Sequence, residues 1–408
     1  MWRGVAGAIA IMALASGADL QLPAKFQSVA DLAGKAPPEF GARALLDLLD
    51  TRGIDDGATR RALIERAYEL AGQAHDRWQL RSLTGDAQAA GAVPLDQLSL
   101  QLHAVRLMLA LDKARARELF AGIPKPAPQP LTCADRGAPD LTDFYAVLGQ
   151  VINETFSPEQ RRNDEPVHMA GDYLGAIDSP VQFEPALRMV EGLHVTPDQR
   201  HQLLVELASA INGISADDRS FTAVSGAMAS RLPPELTAAW QHFVAGHPAA
   251  EHCTDSRQPS TQTADEKRIA ADARNVLYNG GVRVPRAEQA GPGFQERLED
   301  FLAEVSDWQQ GPDESDASFY HRKIGVYCSL LDVTAPPLRA RVVDDMLRFA
   351  LSSPLERDAP AEWFFDLRSA DERVRHSTSP GPDVKDGFVR SGDPVLILDA
   401  ELEKVLGR

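Results

Sequence analysis

The sequence predicts an all-α fold of stacked antiparallel helical hairpins, arranged as an irregular α-solenoid or a helical-bundle array. Three observations support this prediction. Hydrophobic residues make up 44% of the 408-residue chain and aromatic residues only 6%, and an apolar content rich in Ala and Leu favours helices over sheets. Apolar residues recur at helical spacing. A short sequence motif that is typical of helix starts is repeated along the chain.

Apolar spacing of three and four positions predicts amphipathic helices in three segments. They cover residues 44–49, 95–109 and 204–214. The sequence does not contain a series of alternating apolar and polar runs of the kind that indicates a β-sheet. The best strand candidate is the short apolar run of residues 395–398, which follows a loop.

The repeated motif is Ser or Thr, then Pro, any residue, and Gln. It begins at Ser157, Ser179 and Thr196, and a fourth copy with Glu in place of Gln begins at Ser353. The hydroxyl accepts a hydrogen bond from a helix-start amide, Pro suits the first helical position, and Gln or Glu reaches back to the cap. The three close copies begin 22 and 17 residues apart, which predicts short helices joined by short turns and packed as hairpins.

Four segments rich in Pro, Gly or polar residues interrupt the helical pattern, at residues 122–139, 254–263, 279–293 and 369–387. They divide the chain into predicted blocks. The blocks are an N-terminal helical block (24–121), an extended Pro-rich linker with polyproline II character (122–139), a middle helical block (138–253), a C-terminal helical block (264–368), a polar loop (369–387) and a C-terminal tail (388–408).

Residues 1–18 are typical of an export signal. Arg3 supplies the positive start, residues 5–15 form an apolar run, and Ser16, Gly17 and Ala18 provide small residues for cleavage. The run is far shorter than the ~20 residues that span a bilayer. No Cys follows it, so a lipid anchor is not expected. We therefore expect a soluble protein in the periplasm or outside the cell, with no stable membrane anchor.

The chain has three cysteines. Cys133 and Cys253 lie in polar, turn-like contexts, whereas Cys328 shares a helical face with Ile324 and Leu331 and is expected to be a buried thiol. In an exported protein, an odd count suggests one pair and one remaining thiol. We therefore hypothesise a Cys133–Cys253 disulfide that encloses the middle helical block; three reduced cysteines are the alternative.

Charge and motifs exclude several function classes. The net charge of −17 repels phosphate backbones and anionic lipid, which argues against nucleic-acid binding. The sequence has no H-E-x-x-H, S-x-x-K, G-x-S-x-G or C-x-x-C pattern, no P-loop and no G-x-G-x-x-G loop. We expect no cofactor. An enzyme whose catalytic residues are scattered along the sequence is not excluded.

A weak candidate metal site comprises His242, His247 and His252, next to Cys253, because imidazole and thiolate are zinc ligands. Their spacing argues against it, since five helical residues rotate a side chain by about 140°. The alternative is a set of surface histidines at a helix end. A second polar pair, His168 and Asp172, has the spacing of an acid–base pair or of an ordinary helix-surface pair.

Trp363, Phe364 and Phe365 form the bulkiest apolar spot in the chain. Consecutive helical positions cannot all face the same way, so one of these rings could be exposed, and exposed aromatic residues mark binding surfaces. The alternative is that they fill the core where the tail packs against the last helical block.

The combination of an export signal, helices rich in Ala, Leu and Arg, and few cysteines resembles secreted, loosely repetitive all-helical bacterial proteins of the TPR or HEAT type. This resemblance implies no catalytic residues. The expected function is an exported helical binding or scaffold protein that recognises a protein or peptide of the cell envelope. The alternatives are a periplasmic hydrolase of cell-wall polymers, with a scattered carboxylate or His site, and a structural envelope protein.

Overall fold

The computed structural model describes residues 22–51, 53–82, 94–132, 137–214, 232–246, 277–279, 282–284, 292–311, 314–375 and 384–407. Within these ranges the fold is all-α, as predicted, with two short antiparallel ribbons as the exceptions. No helix in the described ranges has both the length and the hydrophobicity needed to cross a bilayer.

The first part of the described chain comprises α1 (Ala24–Ala33), α2 (Pro38–Leu49), α3 (Gly57–Ala71), β1 (Leu80–Ser82), α4 (Gln97–Leu109), α5 (Lys113–Gly122) and β2 (Gly137–Pro139). The middle part comprises α6 (Thr142–Thr155), α7 (Pro158–Arg162), α8 (Glu165–Leu174), α9 (Phe183–Gly192), α10 (Pro197–Ile211) and α11 (Pro234–Gly246). The last part comprises β3 (Leu277–Asn279), β4 (Val282–Val284), α12 (Pro292–Glu296), α13 (Leu298–Asp307), α14 (Asp316–Val333), α15 (Pro336–Ala350), α16 (Leu355–Asp358), α17 (Pro360–Arg375), α18 (Val384–Ser391) and α19 (Pro394–Leu406).

The repeated motif forms capping boxes in its three close copies. Ser157 caps α7, Thr196 caps α10, and Ser179 caps the 3-10 turn before α9. The fourth copy, at Ser353, does not form a capping box. Its hydroxyl accepts from the Leu355 amide, at 3.3 Å. The Glu356 carboxyl, which should reach back to Ser353, interacts with Asp393 instead.

Helices that follow one another in sequence pack on each other, as expected for hairpins: α2 on α3, α3 on α4, and α14 on α15. The two ends of the described chain also meet, because α19 packs on α1 and α2. Phe40 of α2 and Phe364 of α17 make an edge-to-face pair with ring centroids 5.1 Å apart. The C-terminal segment is therefore part of the core that the N-terminal helices form.

The strand prediction for residues 395–398 was wrong, because this run lies inside α19. Asp393 accepts hydrogen bonds from the Val395 and Leu396 amides, at 2.9 and 3.0 Å, and Pro394 occupies the first turn. These are helix-start signals. The run is continuously apolar because most of it is buried against neighbouring helices.

The predicted polar loop of residues 369–387 is also shorter than expected. Helix α17 continues to Arg375 and α18 begins at Val384. Residues 369–375 contain neither Pro nor Gly, and Ala370, Asp371 and Val374 face the core, so tertiary burial extends the helix. Part of the predicted 279–293 break forms the β3–β4 ribbon, with Leu277 opposite Val284.

The described part of the Pro-rich segment, residues 123–132 and 137–139, packs on its neighbours. Ile123, Pro126 and Pro128 are buried, and the Pro126 carbonyl accepts a hydrogen bond from Gln182 Nε2 at 3.1 Å. The segment ends in β2, whose Pro139 pairs with Leu80 of β1. This pairing holds the β1 strand in place, and β1 contributes to the site described next.

Candidate functional site

A cleft with a volume of about 560 Å³ lies between two distant parts of the chain. One wall comes from residues 76–80, which lead into β1, and from residues 94–96, which directly precede α4. The other wall comes from α14 and from the α16–α17 corner. The cleft exists only because the C-terminal helices return to the N-terminal ones.

The N-terminal wall is fixed by backbone hydrogen bonds to the start of α4. The Gln97 amide donates to the Asp76 carbonyl at 2.7 Å, and the Leu98 amide donates to the Arg77 carbonyl at 3.1 Å. The Ser99 amide donates to Oδ1 of Asp96, the N-cap residue, at 2.9 Å. The backbone amides at the start of α4 are therefore already hydrogen-bonded within the protein. They are not available to bind an anion.

Asp96 is 5% exposed and lines the cleft. Its Oδ1 atom caps α4, whereas its Oδ2 atom is buried and has no hydrogen-bond partner among the described residues. Burial raises the pKa of Asp96, and the negative charge of Asp76 raises it further. Asp96 therefore keeps its proton to a higher pH than an exposed aspartate does.

The opposite wall carries a charged group of three residues. His321 of α14 contacts Asp366 and Glu362, which lie four residues apart on α17. The distance from His321 Nδ1 to Asp366 Oδ2 is 2.6 Å, and that from Nε2 to Glu362 Oε2 is 3.4 Å. Hydrogen bonds to Asp366 and Glu362 raise the pKa of His321 to about 10. The imidazole is thus a cation at neutral pH, which holds α14 to α17 and is unsuited to act as a general base.

The lining is rich in carboxylates and in apolar surface. Five carboxyl groups line the cleft, and His321 is the only cationic side chain among the lining residues. The apolar part includes Trp78, Phe365 and Leu80, which is 48% exposed. The carboxyl groups belong to Asp76, Asp96, Asp358, Glu362 and Asp366. Such a lining suits a cation with a hydrocarbon stem.

The predicted aromatic site is divided between the core and the cleft. Trp363 is fully buried, and its Nε1 donates to the Ala350 carbonyl at 3.1 Å. Phe364 is 6% exposed and packs on Phe40. Trp363 and Phe364 are therefore core residues, as the alternative interpretation of the sequence predicted. The prediction that they form an exposed binding surface was wrong. Phe365 is half-buried and lines the cleft.

The other predicted residues do not converge on the cleft. His242 is exposed on α11, whereas His247, His252, Cys253, Cys133 and the export signal of residues 1–18 lie outside the described residues. Within the described ranges, no group of three or more His, Cys, Asp or Glu side chains is arranged to hold a metal. Asp172 accepts from Lys125 Nζ at 2.6 Å, and His168 is exposed.

Sequence reasoning missed the cleft and its charged residues. Two local signals were available: the Asp96–Ser99 spacing of a helix cap, and the four-residue spacing of Glu362 and Asp366. Neither signal tells that these residues face one another, because about 270 residues separate them along the chain.

Comparisons with known proteins found no matching protein family, no matching curated protein and no matching solved structure. The functional conclusion therefore rests on the geometry of the cleft.

Proposed function

We propose that this chain is a helical binding protein whose cleft holds a cationic segment of a partner peptide or protein. The observation that carries the proposal is the lining of the cleft, where five carboxyl groups and one imidazolium surround apolar surface. The Arg77 guanidinium, 4.6 Å from the centroid of the Trp78 ring, is an example within this chain of the contact that a cationic ligand would make.

The size and the charge of the cleft support a peptide ligand. A volume of about 560 Å³ is within the usual range for ligand pockets and accommodates a few side chains. The net charge of −17 attracts cationic partners over a longer distance and speeds their encounter. The apolar residues of the lining supply contact area for the stems of Lys or Arg side chains.

Fluorescence anisotropy with labelled octalysine, octaarginine and octaglutamate tests this proposal. The two cationic peptides are expected to bind at low salt and to weaken as salt rises, while octaglutamate does not bind. Asp358→Lys, which reverses a charge in the cleft, should weaken octalysine at least five-fold. Glu159→Lys makes the same change on the exposed surface of α7 and should leave the affinity within about two-fold.

Absence of octalysine binding, or equal weakening by both variants, contradicts the proposal. Equal weakening would indicate attraction by the overall charge instead of recognition in the cleft.

One observation favours the hydrolase alternative. Burial raises the pKa of Asp96, while Glu362 in the same cleft has its pKa lowered by the hydrogen bond from His321. Two carboxyl groups whose pKa values are shifted in opposite directions can divide the roles of general acid and general base in polymer hydrolysis. Incubation with envelope polymers and analysis of the products separates the alternatives: turnover that Asp96→Asn abolishes supports the hydrolase, and binding without products supports the binding protein.

We also propose that the protein is exported and acts in the cell envelope, where its partner would be found. The sequence of residues 1–18 supports this. Mass spectrometry of the protein from the periplasm should show a chain that begins at Asp19. Thiol titration of denatured, unreduced protein should count one thiol if Cys133 and Cys253 are joined; a count of three contradicts the disulfide.

A further inference from the structure

Asp96 has an acceptor that the protein itself does not use. The residue is 5% exposed, its Oδ1 caps α4, and its Oδ2 is buried with no hydrogen-bond partner among the described residues. The nearest helix-start amides cannot serve this atom, because Gln97 and Leu98 donate to the carbonyls of Asp76 and Arg77. A buried acceptor without a donor is destabilising, so the arrangement suits a donor that comes from a ligand.

The capping role does not explain the charge of this residue. Asn and Ser cap helices about as well as Asp does, and neither would place a carboxyl group in a buried position. Within the cleft, Asp96 is flanked by the apolar Leu95 and Pro94 and lies on the same wall as Trp78. A cation that reached Asp96 would therefore pass along apolar surface before it met the carboxylate.

We infer that Asp96 forms a subsite for a single primary ammonium group, filled by a lysine side chain of the bound segment. This inference rests on the proposed function of the cleft. The hydrocarbon stem of lysine lies along the apolar lining while its ammonium group donates to Oδ2. Binding satisfies the acceptor and pairs the buried charge in one contact.

The geometry selects ammonium over guanidinium. A guanidinium group binds a carboxylate best through two parallel hydrogen bonds, one to each oxygen. At Asp96 the Oδ1 atom lies against the first turn of α4, where it accepts from the Ser99 amide, and Oδ2 is buried, so a planar group has no room to lie across both oxygens. Lysine, a compact point charge with freely rotating donors, suits such a contact better than arginine does.

Affinities of octalysine and octaarginine for the full chain and for Asp96→Asn test the inference. We expect octalysine to weaken at least about ten-fold and octaarginine no more than about three-fold, because only the ammonium contact depends on Asp96. Asp56→Asn is the matched control, since Asp56 caps α3 through the Thr59 amide at 2.7 Å, outside the cleft; it should change neither affinity. Asp358→Asn removes one exposed cleft charge and should weaken both peptides equally.

Equal weakening of the two peptides by Asp96→Asn, as for Asp358→Asn, overturns the inference, as does no change at all. If Asp96→Asn fails to fold, Asp96→Ser, which keeps a capping oxygen, replaces it in the same comparison. Competition with spermidine separates a peptide from a free polyamine: displacement of octalysine at equal concentration overturns the assignment to a lysine side chain. If wild-type protein binds neither cationic peptide, the proposed function itself fails, which is a distinct result.

Discussion

Two charged regions lie on either side of α17 and differ in how their charges are paired. Where α19 packs against α2 and α18 packs against α17, three cations lie among four carboxylates, those of Asp47, Asp371, Asp399 and Glu403. The ion pairs are Arg43–Asp47 at 2.8 Å, Arg368–Glu403 at 3.0 Å, Lys385–Asp371 at 3.9 Å, and the Lys385–Glu403 contact. In the cleft, five carboxyl groups face two cations: the His321 imidazolium, and Arg357, which pairs with Asp358 at 2.8 Å.

The difference separates structural charges from charges that are available to a ligand. Glu403 is buried and is held by both Arg368 and Lys385, so this charged region joins the two ends of the chain. In the cleft the carboxyl groups outnumber their cationic partners, and a bound cation would restore the balance. Charge excess at a concave surface is therefore the feature that distinguishes the candidate site.

The largest expected effect separates two neighbouring rings of α17. Trp363→Ala should lower the free energy of unfolding by about 3–5 kcal/mol, because it empties a fully buried position and removes the indole donor from the Ala350 carbonyl, which then accepts only from the Ser353 amide. Phe365→Ala should lower it by no more than about 1 kcal/mol and should weaken octalysine binding, because Phe365 lines the cleft. Urea unfolding and anisotropy measure the two effects; equal loss of stability in both variants would break the distinction between core and cleft.

A smaller loss of stability is expected from the paired region. Lys385→Met should lower the free energy of unfolding by about 3 kcal/mol, the low end for a broken buried ion pair, because Arg368 still pairs with Glu403. Octalysine binding should be unchanged. Arg188→Met, which breaks the exposed Arg188–Glu184 pair on α9, is the control and should cost no more than about 0.5 kcal/mol. Similar losses in both variants would show that the paired region is not structural.

The smallest effect concerns His321. Its pKa in the folded protein is raised to about 10 by Asp366 and Glu362, so protonation favours the folded state. The stability that His321 contributes should be fully present below its unfolded pKa, about 6.5, and should be lost as pH rises towards 10. Because the side chain is 42% exposed, the contribution should stay below about 1 kcal/mol.

The measurement for His321 is the difference in unfolding free energy between wild type and His321→Gln, taken at pH 6 and at pH 9.5. The difference should shrink at the higher pH. A difference that grows with pH would mean that the imidazole is neutral in the folded protein, and the cleft would then contain no cation among its lining residues.

Local sequence signals predicted the helices well and their ends less well. The capping motif predicted the helix starts at Ser157 and Thr196, because its hydroxyl, proline and glutamine act within one helical turn. Residues 395–398 were misread because a short apolar run fits a buried helix as well as a strand. The end of α17 was misread because burial of Val374, a tertiary effect, extends a helix through charged residues.

By itself, the sequence determined the helical class, the helix starts at Ser157 and Thr196 and the acidic character of this protein, because these depend on composition and on contacts within a few residues. Only the tertiary structure decided that α19 returns to α1 and α2, that Trp363 is core while Phe365 lines a cleft, and that Asp96 lies across from Glu362 and Asp366. Those outcomes depend on which apolar faces bury one another, and helical spacing specifies a face without specifying its partner.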